Sequence, residues 1–147
     1  MAVYLRFQVA GEVYAIPVAN LIEVAALGEL TAVPGARAEF LGVLNLRGLI
    51  LPVVDLAAVL QLERSAPPNR LLVAAVDDLR VGFAVDDVTG IAELAEPTEE
   101  VESRLLLGAV LADGSLVGVL DVPRVLESVA TPAEVASNAY SMRAVPP

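Results

Sequence analysis

The sequence predicts an all-β chain made of two similar units of about five strands, each ending in a short helix and related by a pseudo-twofold axis. Three observations carry this. Apolar residues recur at every second position in several short segments. Two-residue turn signals join those segments in pairs. The pattern then restarts after a central connector, with glycines and an aspartate in register. At 147 residues a single domain is expected over 1–147, with approximate halves 1–66 and 67–127 and a tail of different character over 128–147.

Taken in order, Val3, Leu5, Phe7 and Val9 alternate with Tyr4, Arg6 and Gln8, the period of a half-buried strand. Gly11-Glu12 turns the chain, and Tyr14, Ile16 and Val18 continue the period to close a hairpin. Ala19 to Leu27 is apolar around one charge, Glu23, and Pro34-Gly35 marks a turn. Phe40 to Leu46 and Leu49 to Val54 flank Arg47-Gly48 as a second hairpin, after which Asp55 is placed to cap a short helix through Leu60. Ser65 to Asn69, with Pro67-Pro68, is the connector. Beyond it, Leu71 to Val76 and Val81 to Val85 form a hairpin around Asp77-Asp78, Val88 to Leu94 is a strand, and Glu96 to Arg104 is an acidic loop. Leu105 to Leu111 and Leu116 to Val122 pair across Asp113-Gly114, a strong hairpin signal. In the tail, Thr131-Pro132-Ala133-Glu134 has the pattern of a helix start, predicting a short helix to about Met142 and fraying from Ala144.

The repeat is read from spacing. An offset of 66 superposes Gly42 on Gly108, Gly48 on Gly114, Asp55 on Asp121, Val59 on Val125 and Leu60 on Leu126; an offset of 67 aligns Val18, Leu21 and Val24 with Val85, Val88 and Ile91.

Composition prunes function. Hydrophobic residues make up 56%, enough to fill a core and incompatible with disorder. Nineteen acidic against nine basic residues, all of the latter Arg, give a net charge of −10. Such a surface repels polyphosphate, so neither nucleic-acid binding nor attraction to anionic membranes is expected. No apolar window reaches the length of a membrane span, and the N-terminus lacks a signal-peptide pattern, so a cytoplasmic protein is expected. The absence of His, Cys and Lys removes the usual nucleophile–base pairs, Schiff-base and phosphate-loop lysines, and transition-metal ligand sets. Only carboxylate chemistry survives, as a pair of acids or an oxygen-ligand cation site.

Few residues stand out as candidates. The doublets Asp77-Asp78 and Asp86-Asp87 fall at opposite ends of one hairpin, roughly 20 Å apart, too far to share an ion; they read best as solvated turn residues. Asp87-Val88-Thr89-Gly90 has an extra residue relative to an aspartic-protease loop and no second copy. Glu23 and Arg47 are charges set among apolar residues, where pairing is the economical outcome. The pair is compatible with a structural or a functional role. Asp113, matching Arg47 in the repeat, reads as an ordinary turn residue. Leu21, Val24, Val88 and Ile91 occupy matched positions, either as plain core or as opposite walls of one groove.

Phe40-Leu41-Gly42-Val43-Leu44-Asn45-Leu46-Arg47-Gly48, followed by Leu51-Pro52-Val53-Val54-Asp55-Leu56, resembles the signature of the CheW family of chemotaxis coupling proteins. Tyr14-Ala15-Ile16-Pro17-Val18, Ile22-Glu23-Val24, Thr31-Ala32-Val33-Pro34 and Val85-Asp86-Asp87-Val88 match further family positions in order, over about residues 3–127. The resemblance implies two five-stranded β-barrels around a shared hydrophobic core. It also implies a non-catalytic adaptor, without cofactor or metal, that joins the regulatory domain of a CheA-type histidine kinase to the cytoplasmic tip of chemoreceptors, with recruitment to membrane-associated receptor arrays. By the same resemblance the kinase interface uses Leu21, Glu23, Gly42, Arg47 and Gly48, and the receptor interface Val88 and Ile91. Related adaptors serve pilus or gliding systems, an alternative to chemotaxis. Two other classes compete: the regulatory domain of a kinase sharing this fold, and a carboxylate-only hydrolase using Asp86 and Asp121. Two acids converging in a concave pocket about 5–9 Å apart would mark the hydrolase.

Overall fold

The computed structural model describes residues 2–64, 66–98 and 100–129. The helix expected over 131–142 and the fraying end lie outside these residues.

Strands β1 (Ala2–Val9) and β2 (Glu12–Pro17) form the first hairpin, followed by a single 3-10 turn at Val18–Asn20 and strand β3 (Leu21–Ala26). Its tight turn is Ala10-Gly11, with φ of +51° and +82°, one residue earlier than expected. Strands β4 (Phe40–Leu46) and β5 (Leu49–Asp55) lead into helix α1 (Leu56–Val59). The Asp55 carboxylate caps that helix by accepting from the Ala57 amide at 3.1 Å, satisfying a donor the helix cannot. Strands β6 (Arg70–Val76), β7 (Leu79–Val85) and β8 (Asp87–Leu94) precede the acidic loop; β9 (Leu106–Ala112), β10 (Ser115–Leu120) and helix α2 (Val122–Val129) complete the described chain. Helix α2 carries Ser128 and the buried Val129, so these two residues belong to the helix and not to the tail expected from 128.

The strands form two five-stranded sheets, ordered β8-β1-β2-β10-β9 and β3-β6-β7-β5-β4. Shifting every strand by five places converts one order into the other, which is the pseudo-twofold. Neither sequence half builds a sheet alone: the β1–β2 hairpin is flanked by strands from beyond the connector, and β6–β7 by strands from before it. The reading of 1–66 and 67–127 as two spatial units is corrected accordingly. Alternation defines which face of a strand is apolar, but both halves carry equivalent faces, so it does not choose between pairing within a half and exchange. Two parallel seams join the halves, Tyr14↔Gly118 with Ala15↔Val119 and, as the counterpart, Val53↔Gly82 through Asp55↔Ala84.

Each sheet curls around its own apolar interior. Tyr4, Ala15, Leu94, Val110, Val117 and Val119 fill the first, and Leu44, Leu51, Val53, Leu71, Val73 and Ala84 the second. The outer faces meet in a third, shared core of Leu5, Phe7, Ile16, Leu72, Phe83 and Leu120 with the apolar sides of both helices. Full burial of each such large side chain stabilises the fold by about 1.5–3 kcal/mol. The barrels are incompletely closed: among the described residues no ladder joins β8 to β9 or β3 to β4, although Thr31 exchanges backbone hydrogen bonds of 2.8 and 2.9 Å with Val43 of β4.

Candidate protein-binding surfaces

The first candidate cluster lies on the second sheet. Arg47 and Gly48, at φ +51° and +85°, form a two-residue turn whose twist suits the β4–β5 hairpin. The Gly48 amide donates to Asn45 Oδ1 at 2.9 Å. From this turn the Arg47 guanidinium donates to Glu23 Oε1 on β3, at the opposite edge of the same sheet. The setting differs from the apolar one expected: the Arg47 side chain is 69% exposed and that of Glu23 28%. Ile22 beside Glu23 is itself exposed, so the pair sits at the solvent rim of the sheet, where such a bridge contributes about 0–1 kcal/mol.

Gly42 is buried and cannot meet a partner directly. Its φ of +143° falls at the register shift between β4 and β5, and a Cβ there would stand 2.4 Å from the Thr31 carbonyl oxygen. The residue allows the chain after β3 to approach β4. Leu21 is half-buried against the shared core.

The second cluster lies on the first sheet. Strand β8 is an edge strand, paired only through β1, where Ile91 stands opposite Leu5. Ile91 is 62% exposed, whereas Val88, Leu21 and Val24 pack against the shared core. Of the four residues considered as groove walls, then, Ile91 alone offers most of its side chain to solvent. Exposed Val3 on β1 lies two residues from Leu5 and extends the apolar surface next to it.

Three exposed leucines escaped the sequence reading. Leu107, Leu111 and Leu116 are all more than half exposed, and Leu111 stands directly across from Leu116 in the β9–β10 hairpin. Alternation marked these strands as half-buried without telling which face another sheet covers. Asp113 is also more than a turn residue: its carboxylate accepts from the largely buried Arg6 guanidinium at 2.8 Å.

Asp86, Asp87 and Asp121 are each engaged by a backbone amide close to a turn or cap. Asp86 Oδ2 accepts from the Ala10 amide at 2.7 Å, and Asp87 Oδ1 from the Val88 amide at 2.8 Å. Asp121 accepts from the Arg124 amide at 3.3 Å at the start of α2. Among the described residues no group of three acids is placed to hold a metal ion. A cavity of about 570 Å³ between α1 and α2, lined by Glu39, Gln61, Arg104, Arg124 and Glu127 among others, includes neither Asp86 nor Asp121. These aspartates hold backbone amides, the work of turn and cap residues. No helix among the described residues is long and apolar enough to cross a membrane.

Known proteins share both the sequence and the fold. The CheW-like domain profile matches residues 3–130. The chemotaxis protein CheW of Thermotoga maritima is 32% identical over 132 residues, covering 85% of this chain and 87% of the relative. A probable chemotaxis protein CheW of Rhizobium etli is 35% identical over 107 residues, 69% of each chain. The scaffolding protein TtCheW of Thermoanaerobacter tengcongensis superposes with a TM-score of 0.77 at 20% identity, covering 86% of this chain and 92% of that one. With its matched sequence, exchanged five-stranded sheets and shared core, the chain belongs to the CheW-like domain family.

Proposed function

We propose that the chain is a non-catalytic adaptor that couples the cytoplasmic tip of a chemoreceptor to the regulatory domain of a CheA-type histidine kinase. The observation that carries this reading is the separation of the two candidate clusters. Leu21, Glu23, Gly42, Arg47 and Gly48 belong to the second sheet and its turn, whereas Val88 and Ile91 belong to the edge strand of the first. Two partners can therefore be held at once. The relatives named for chemotaxis, and a structural neighbour titled a scaffolding protein, support the same reading.

The mechanism is positional. An apolar edge next to the shared core suits a helical receptor tip, and the rim around Arg47 suits the kinase domain. Holding both fixes the kinase relative to the receptor, so that receptor state biases kinase conformation through differential contacts. The chain works in the cytoplasm, recruited to receptor arrays, without cofactor, metal or nucleic acid.

Binding measurements with a purified kinase regulatory domain and a soluble receptor fragment test this. The expected result is a ternary complex, in which Arg47→Glu weakens kinase binding and Ile91→Asp weakens receptor binding, each leaving the other intact. Competition of the two partners for one site, or binding of neither, overturns the proposal.

A further inference from the structure

Asp86 and Asn20 each lie in the short link between the second and third strand of its half, although the offset of 67 that holds there matches Asn20 to Asp87, one residue further on. Each reaches into the other half. Asp86 Oδ2 accepts from the amide of Ala10, the first residue of the β1–β2 turn, at 2.7 Å, and the Asp86 amide donates to the Gln8 carbonyl at 3.0 Å. Asn20 Nδ2 donates to the carbonyl of Ala75 near the end of β6, at 3.3 Å. The first hairpins of the two halves match at an offset of 67, which pairs Ala75 with Gln8, so both links bond the turn end of the opposite half's first hairpin, at neighbouring and not identical positions.

The chemistry of each residue fits its target. Ala10 sits in a two-residue turn at φ +51°, and its amide points away from the hairpin ladder, so it needs an acceptor. A carboxylate supplies one. At the matching corner the target is a carbonyl, which a carboxylate would repel and an amide NH₂ satisfies. Asp86 Oδ1 has no partner among the described residues. The side chain therefore acts through Ala10 alone.

Position gives this grip a consequence. Asp86 immediately precedes β8, and Asn20 immediately precedes β3. Each of these strands pairs antiparallel with the first strand of the opposite half, and in each the pairing register shifts just beyond the grip, at Gly90/Val88 opposite Arg6/Phe7 and between Leu21 and Glu23. A strand with a nearby register shift needs an anchor at its entry, because the ladder alone does not fix where it begins.

We infer that Asp86 and Asn20 are positioning residues: Asp86 sets the placement of the edge strand bearing Val88 and Ile91, and Asn20 that of the strand bearing Leu21 and Glu23. The link to partner binding rests on the adaptor reading above; the link to strand placement does not.

Two readouts separate these. Amide hydrogen exchange followed by NMR measures strand placement in the chain alone. Titration with a soluble receptor fragment and a kinase regulatory domain measures its effect on binding. In Asp86→Ala, exchange at Ala10 and along β8 rises about tenfold or more while β3 is unchanged, and receptor affinity falls by about fivefold with kinase affinity preserved. In Asp86→Asn, which keeps an acceptor oxygen, both stay within about twofold of the parent. Asn20→Ala produces the reciprocal pattern, with faster exchange in β3 and weaker kinase binding. Unchanged exchange at Ala10 and β8 in Asp86→Ala overturns the inference, whatever the partners do. Altered exchange with equal loss of both affinities reduces the residue to general stability and overturns its selective role. A parent chain that binds neither partner overturns the adaptor reading, and the exchange data still decide the placement of the strands.

Discussion

Arg47 and Asp113 occupy the same position in the two repeats, both at φ +51° and both followed by a glycine at positive φ, yet they carry opposite charges. Each reaches back across its own sheet: Arg47 to Glu23 on β3, Asp113 to Arg6 on β1. In both pairs the turn residue is the exposed partner, with the Arg47 side chain 69% and that of Asp113 82% accessible. What differs is how far the residue it reaches is buried, 28% accessible for Glu23 and 14% for Arg6.

The deeper burial of Arg6 predicts unequal stability costs. Arg47→Ala removes the exposed partner of a rim bridge and is expected to cost about 0–1 kcal/mol. Asp113→Ala leaves the largely buried Arg6 guanidinium without its acceptor and costs about 1–3 kcal/mol. Urea unfolding of the two variants measures the difference. Equal midpoints would mean that burial of Arg6 is not felt. A loss of kinase binding in Arg47→Ala at unchanged midpoint is the expected mark of an interface residue.

Gly42 and Gly48 are both matched to the kinase interface by the family resemblance, but Gly42 is buried and only Gly48 lies at the exposed turn. A methyl at Gly42 would collide with the Thr31 backbone, 2.4 Å from its oxygen, on a backbone at φ +143°. Gly42→Ala should cost about 3 kcal/mol or more. Gly48 faces open space at φ +85°, so Gly48→Ala bears only the backbone cost of about 1–2 kcal/mol. Thermal melts rank the two, and the reverse order would contradict the geometry.

Ile91 and Leu21 separate in the same manner. Ile91→Asp changes an exposed side chain and should move stability by about 0.5 kcal/mol while weakening receptor binding. Leu21→Asp sets a charge against the shared core and should cost at least about 2 kcal/mol. Circular dichroism melts check both. If Ile91→Asp unfolds the chain, β8 is not the open surface described.

Tyr14 sets an alkaline limit. Burial, reinforced by the hydrogen bond its hydroxyl donates to Glu12 and by that carboxylate's charge, holds its pKa well above the ordinary value of 10.0. Above that value the unfolded chain releases the proton while the folded chain keeps it. Stability is therefore insensitive to this group below about pH 10 and falls as pH rises beyond it. Tyr14→Phe should flatten that decline in urea titrations between about pH 9 and 11. An unchanged slope would remove Tyr14 as its cause.

Local structure was largely legible in the sequence because turns and alternation are local facts. Arg47-Gly48 and Asp113-Gly114 announced their hairpins, Asp55 its helix, and Gly42 with Gly108 the repeat; both of these glycines adopt positive φ beside a register shift. Partner choice was not legible. Periodicity gave β8 a buried face but did not reveal that the strand pairs with β1, from the other half. The same gap hid the Arg6–Asp113 bridge, since 107 residues separate its ends. Glu23 and Arg47 were legible as partners through their charge, while the exposure of Arg47 depended on how the sheet edge meets solvent.

Reconstituted kinase autophosphorylation tests the central claim most directly, with the kinase alone, with receptor, with this chain, and with both together. The adaptor account predicts that the rate changes only when receptor and chain are both present. It also predicts that the effect saturates with stoichiometry and disappears in Arg47→Glu or Ile91→Asp. Stimulation of the kinase by this chain without receptor, or no effect when all three are combined, would contradict it.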